Sequence, residues 1–132
     1  MLAVMGFSAP VYVVDDDPGM LESTSFLMAS LGIQVETFSD PLTLLQNATK
    51  LAPGCVLTDL SMPSMTGIEL HQALRAEGME WPAILMSGNS DMETNHHLMS
   101  DGVVAFLEKP FAVPNLLAAL ERASHRLDRV SR

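Results

Sequence analysis

"CVLTDLSMPSMTG", residues 55–67, decides how the rest of the chain reads. Cys55, Val56, Leu57 and Thr58 have the composition of a short buried strand, and Asp59 arrives where that strand should leave the core. An acid at the end of an apolar run is costly unless the position is used. Met62-Pro63 and Gly67 follow as loop-shaping residues before the next helical pattern begins.

Working outward, the same unit recurs. "VYVV" (11–14) is followed by Asp15, Asp16 and Asp17; "AILMS" (83–87) closes on Ser87; "VVAFLE" (103–108) is followed by Lys109-Pro110. "IQVETF" (33–38) alternates like a half-buried strand and ends in Thr37 and Phe38, which offer no reactive group. Between these runs the spacing predicts helices over 19–32 (with Leu21, Phe26, Leu27 and Leu31 apolar), 41–51, 67–78, 91–102 and 113–132. Asp40 with Pro41 is an N-cap followed by a first-turn proline. Leu31-Gly32-Ile33, Glu77-Gly78-Met79 and Asp101-Gly102-Val103 each place a glycine just past a helix and an apolar residue beyond it, the pattern of a left-handed C-cap. Five short strands alternating with five helices predict one parallel sheet covered on both faces, joined by right-handed crossovers.

Composition agrees with one domain. The chain has 132 residues, 48% of them apolar, and its ten methionines and few aromatics make the expected core aliphatic. No apolar run approaches the roughly 20 residues of a membrane helix. The opening "MLAVMGFSAP" lacks a basic region and is interrupted at Gly6, Ser8 and Pro10, unlike a signal peptide. A single cysteine, Cys55, excludes an internal disulfide and fits a reducing compartment, so a cytoplasmic location is expected. Up to residue 121 three basic side chains (Lys50, Arg75, Lys109) face fifteen acids, a net of −12; residues 122–132 carry four arginines and one acid, a net of +3. Such a body is poorly suited to grip phosphate backbones and well suited to bind a cation.

In an open parallel sheet, ligands bind beyond the carboxyl ends of the strands. Acids, one hydroxyl and one lysine would therefore meet at one edge. Clustered carboxylates stay ionised together only when a cation offsets them, and an all-oxygen set with open positions suits Mg²⁺. A metal and an ammonium facing one carboxylate form a clamp for a phosphoryl group in transfer, with Asp59 as the nucleophile.

Four motifs in order, "VYVVDDDP", "LTDLSMPSMTG", "LMSGNSD" and "FLEKPF", give the chain a resemblance, over about residues 10–125, to the receiver domains of two-component response regulators. The resemblance implies a flavodoxin-like (βα)5 three-layer sandwich with a five-stranded parallel sheet of order 2-1-3-4-5. It implies that Asp59 is the phosphoacceptor, that Asp15 and Asp16 are the acid pair, and that Asp16, Asp59 and the backbone carbonyl of Ser61 hold Mg²⁺, with Asp15 acting largely through water. Lys109 would pair with the phosphoryl group, Ser87 would close on it, Phe106 would follow Ser87, and Lys109-Pro110 would be a cis peptide. The implied partners are a histidine kinase and, after phosphorylation, a second copy bound through the helix at 91–102, the strand at 103–108 and the last helix. No membrane partner is expected, and DNA would be reached only through an output domain outside this chain.

The nearest subgroup in resemblance is the receivers that precede a LuxR-type helix-turn-helix, the nitrogen-fixation regulators among them. Leu21, Ser61, Asn95 and His96 depart from that subgroup's pattern, the first where a basic residue is common and the second where arginine often follows the phosphoacceptor. The domain boundaries expected are an N-terminal extension over 1–9, the receiver over 10–125, and the end of the last helix or start of a linker over 126–132. Arg122, Arg126 and Arg129 recur at spacings of four and three on a helix whose apolar stripe runs to Val130, which suits a helix continuing into a linker.

Plainer readings stand beside these. Asp17 next to Pro18 reads as a helix cap rather than a ligand. Ser87 can be an ordinary strand-end hydroxyl, Phe106 a core aromatic, and Cys55 a small buried apolar residue. His96 and His97 are neighbours and would point about 100° apart on a helix, a poor chelate. Three other function classes remain: a stand-alone receiver acting through protein partners, a pseudo-receiver that binds without being phosphorylated, and a haloacid-dehalogenase-type phosphatase using Asp15, Asp17, Ser87 and Lys109. The phosphatase lacks a hydroxyl within Pro18-Gly19-Met20 and an acid pair after Lys109. The expectation is a domain that is not an enzyme beyond its own phosphorylation and dephosphorylation.

Overall fold

The computed structural model describes residues 8–88 and 102–130, the side chains of 129 and 130 excepted. Its elements run β1 (Val11–Val14), α1 (Pro18–Ser30), β2 (Val35–Phe38), α2 (Pro41–Asn47) with a 3-10 turn at Ala48–Lys50, β3 (Cys55–Asp59), α3 (Gly67–Ala76), β4 (Ala83–Ser87), β5 (Val103–Glu108) and α4 (Val113–Val130). The helix expected over 91–102, with Asn95, His96 and His97, lies outside the described residues apart from Gly102.

The strands form one sheet in the order β2-β1-β3-β4-β5, with every pair parallel. Val14 is level with Phe38 on one side and Thr58 on the other, Asp59 with Met86, and Ser87 with Glu108. The carboxyl ends of β1, β3, β4 and β5 therefore reach one edge together. Strand alternation divides the core between the two faces. Val11, Val13, Cys55, Leu57, Ile84, Met86, Ala105 and Leu107 pack under α1 and α4, while Tyr12, Val14 and Val56 pack under α2, α3 and Trp81. Leu57, Leu70, Leu85 and Leu120 are fully buried, each stabilising the fold by about 2 kcal/mol through area removed from water.

Helix ends follow the local chemistry. Asp17 caps α1 by accepting from the Gly19 and Met20 amides, and Asp40 caps α2 by accepting from Leu42. Thr66 and Glu69 form a reciprocal capping box on α3. Gly32, Gly78 and Gly102 have φ of 80°, 90° and 98°. After α1 the Ile33 amide bonds back to Met28 and the Gly32 amide to Ala29; after α3 Met79 bonds to Leu74 and Gly78 to Arg75. These pairs are the Schellman closure that the glycine pattern predicted.

Two expectations are corrected in detail. The buried stripe of α1 is Leu21, Thr24 and Met28, and Phe26 is 77% exposed. At 100° per residue Phe26 lies about 140° from Leu21, so the helical spacing expected for Leu21, Phe26, Leu27 and Leu31 joins it to a face it does not share. The 41–51 segment is a two-turn helix that tightens into 3-10 geometry at Ala48. In α4 the apolar stripe Leu116, Leu120, Ala123 and Leu127 is buried as expected; Arg122 donates to the Val104 carbonyl (3.4 Å) and Arg126 is half-buried. Among the described residues no helix is long and apolar enough to cross a membrane.

Candidate functional site

Asp15 stands one residue beyond β1 and is fully buried; Asp59 is the last residue of β3 and is 9% exposed; Asp16 is exposed beside them. One carboxylate oxygen from each of Asp15, Asp16 and Asp59 falls within 4.8 Å of the others. Lys109, one residue beyond β5, places Nζ 2.9 Å from Asp15 Oδ2 and 3.5 Å from Asp59 Oδ2. Its own amide donates to the Ser87 carbonyl (2.7 Å), which ties the lysine's backbone to the end of β4. The Lys109–Pro110 peptide is cis.

Electrostatics follow from this packing. Burial pushes the Asp59 carboxyl above its ordinary value, Lys109 pulls it back, Asp15 raises it again, and a backbone hydrogen bond from Ser61 lowers it; the net direction is up. Burial alone would lower Lys109, but the hydrogen bond to Asp15 and the charges of Asp59 and Asp15 prevail, so the ammonium is held above its usual range. Asp15 spends both oxygens within the protein: Oδ1 accepts from the Asp17 amide (3.0 Å) and Oδ2 from Lys109. Asp16, the exposed member of the cluster, is the carboxylate most open to a cation. Three carboxylates on a partly open edge are a hard oxygen donor set that suits Mg²⁺.

The remaining predicted residues lie as follows. Ser87 ends β4, 5% exposed, one residue past the Met86 that is level with Asp59. Phe106 is level with Leu85 and packs against Ala83, Leu85 and Val103, on the cluster that also takes Ile68. Ser61 is exposed in the β3–α3 loop. Asp17 is the helix cap that its neighbour Pro18 suggested, yet its backbone amide also orients Asp15, a role that only the tight turn after β1 reveals. Thr58 went unremarked in the sequence: its buried hydroxyl donates to the Asp59 carbonyl at 3.0 Å. A threonine in an otherwise aliphatic strand, directly before a strand-end acid, was the available signal.

Comparison with known proteins gives this edge a context. Residues 11–121 match the response regulator receiver domain. The transcriptional regulatory protein FixJ of Bradyrhizobium diazoefficiens is 39% identical over 113 residues, which is 86% of this chain and 55% of that protein. The response regulator protein TodT of Pseudomonas putida is 35% identical over 113 residues, 86% of this chain and 50% of that protein. The chain thus spans about half the length of the curated relatives it matches. The crystal structure of FixJ-N superposes with a TM-score of 0.82 at 32% identity, covering 89% of this chain and 94% of that one. Full-length FixJ from B. japonicum gives 0.83 at 36% identity, covering 93% of this chain and 61% of that one. With its parallel sheet in the order 2-1-3-4-5 and its acid cluster at the carboxyl edge, this chain belongs to the response regulator receiver domain family.

Proposed function

We propose that Asp59 accepts a phosphoryl group from a phosphorylated histidine of a kinase, and that this switches a downstream, DNA-binding transcriptional output in the cytoplasm. The observation that carries the reading is the placement of the Asp59 carboxylate: at a strand end, inside a cluster of three acids, with an ammonium 3.5 Å away. A carboxylate oxygen attacks phosphorus, the P–N bond to the donor imidazole breaks, and the electron pair leaves with that nitrogen, which is then protonated. Mg²⁺ held by Asp16, Asp59 and the Ser61 carbonyl would supply charge neutralisation for the phosphoryl oxygens.

The protein's own groups do the rest. Lys109 is held pointing into the site by Asp15, which is itself fixed by the Asp17 amide, so the ammonium needs little reorganisation when phosphate charge arrives. Ser87, tied through its carbonyl to Lys109, is the hydroxyl that closes on the phosphoryl group, and Phe106 follows it. Phosphorylation then shifts a pre-existing equilibrium and favours self-association through the segment 91–102, β5 and α4. The transcriptional output is supported by the relatives' printed description as transcriptional regulators and by their greater length. The chemistry is confined to the domain's own phosphorylation and dephosphorylation, so the domain is not a turnover enzyme.

The test is incubation with Mg²⁺ and acetyl phosphate. The wild-type chain is expected to gain roughly 80 Da, one phosphoryl group that is lost in base. Asp59→Asn should keep the fold and lose the adduct, because an amide is a far poorer nucleophile. An Asp59→Asn protein that gains the same mass at the wild-type rate would show that another residue is the acceptor.

A further inference from the structure

Thr58 is fully buried, in a strand whose other members before Asp59 are Cys55, Val56 and Leu57. Valine would fill the same space with no polar atom to satisfy. The sequence instead spends a hydroxyl there, and that hydroxyl donates to the carbonyl of Asp59 itself, 3.0 Å away. Successive side chains of a strand point to opposite faces, so Thr58 cannot share the site with the Asp59 carboxylate and can act on it only through the backbone.

Helix α3 packs against the same carbonyl from Thr58's own face of the sheet. Its first residue, Gly67, approaches so closely that a Cβ there would lie 2.7 Å from the Asp59 carbonyl oxygen and 3.0 Å from Thr58 Cγ2. The Gly67 amide donates to Leu60 (2.9 Å), and the Leu60 amide donates to Met86 on β4 (2.7 Å). The peptide following Asp59 is thereby held by three neighbours: the Thr58 hydroxyl, the Gly67 Cα and the β4 backbone.

We infer that Thr58 is a positioning residue for the phosphoacceptor: its hydroxyl, with Gly67 packed beside it, fixes the Asp59 carbonyl and so the direction in which the Asp59 carboxylate leaves its Cα. The inference rests on the reading of Asp59 as the phosphoacceptor and adds a residue from the opposite face of the sheet to that site. A misplacement of about 1 Å at a reacting group can cost about a hundredfold in rate, so a small rotation of this one peptide is enough to matter.

Three variants of the full 132-residue chain separate hydroxyl from packing. Thr58→Val keeps the methyl and replaces the hydroxyl with a second methyl; Thr58→Ser keeps the hydroxyl and loses the methyl; Thr58→Ala loses both. With acetyl phosphate and saturating Mg²⁺, Thr58→Val and Thr58→Ala should be phosphorylated about tenfold more slowly, while Thr58→Ser stays within about twofold of wild type. Melting temperature should follow a different order, because Thr58→Ser loses the methyl contact at Gly67 and Thr58→Val does not. The amide of Ser61, which bonds to the Asp59 carboxylate, gives a direct readout of placement: its NMR shift should move in Thr58→Val and Thr58→Ala and hold in Thr58→Ser. If Thr58→Val fails to fold, the Ser and Ala pair decides, since both lack the methyl and only one has the hydroxyl. A wild-type rate and an unmoved Ser61 amide in Thr58→Val, or equal losses in Ser and Ala, would overturn the inference. Should the wild-type chain itself take no phosphoryl group, the function reading fails, and the Ser61 amide still decides whether Thr58 positions Asp59.

Discussion

The two ends of the sheet are built on opposite principles. At the amino end, Tyr12 stacks on Trp81 with ring centroids 5.2 Å apart, its hydroxyl donates to the Ala52 carbonyl, and Gly54 lets the chain pass directly against Pro10 and Tyr12. Burial, with Glu36 nearby, pushes the Tyr12 phenol up to about 12, so it stays neutral and acts as a donor. At the carboxyl end, two buried carboxylates and a lysine are held together, and burial raises the Asp59 carboxyl against the pull of that lysine. One end minimises uncompensated polarity and the other concentrates it. The amino end and the aliphatic layers hold the sheet while the charged edge holds a site.

That contrast can be broken at either end. The largest stability effect is expected from Lys109→Met, which leaves the fully buried Asp15 facing Asp59 with only the Asp17 amide for support. A loss of about 3 kcal/mol in denaturant unfolding is expected, and Mg²⁺ should restore part of it. A Lys109→Met protein as stable as wild type without metal would mean that the ion pair contributes nothing beyond geometry.

Next comes the amino end. Gly54→Ala should cost about 2 kcal/mol, because the new methyl meets the Pro10 carbonyl, a backbone atom that cannot move aside cheaply. Unlike the lysine variant, its loss should be independent of Mg²⁺ and should leave the phosphorylation rate of the folded fraction unchanged. A metal-dependent loss would show that the two ends are coupled.

A smaller effect sharpens the carboxyl end. At tenfold over its dissociation constant, Mg²⁺ should stabilise the wild-type chain by about 1.4 kcal/mol. Asp16→Ala should remove most of that rise, since Asp16 is the exposed member of the acid cluster. An undiminished response in Asp16→Ala would place the ion elsewhere.

The smallest effect is the pH dependence. Because the folded Asp59 carboxyl is raised, the native state binds its proton more readily than the unfolded chain does in the window just above the ordinary aspartate value of about 4. Stability contributed by this group therefore falls as pH rises through that window and is flat above it. Asp59→Asn should flatten the metal-free melting curve across the same window relative to wild type. An identical slope in the two proteins would assign the titration to other groups.

Much of this was legible in the residues. The strand-end acids, the caps at Asp17 and Asp40, and the glycine closures after α1 and α3 rest on local rules of a few residues, and each is found where the pattern put it. Phe26 was misread because the apolar residues of α1 are spread around the helix, and only contact with the sheet selects Thr24 over Phe26 for the buried face. Thr58 was passed over because a hydroxyl in a strand has no meaning until the carbonyl it reaches, and the glycine behind that carbonyl, are in place.

The order of strand ends along the chain, and so the inventory of acids, hydroxyl and lysine at one edge, is determined by sequence alone, because hydrophobic periodicity and capping are local. Their distances are not. Asp15 and Lys109 are 94 residues apart and meet at 2.9 Å only because β1, β3, β4 and β5 lie in a register that brings their carboxyl ends level. Register and layer packing are collective, set by how the whole sheet buries its two faces, so it took the tertiary structure to decide that Asp15 is fully engaged, that Asp16 is the exposed member of the acid cluster, and that the carbonyl behind Asp59 is held by Thr58.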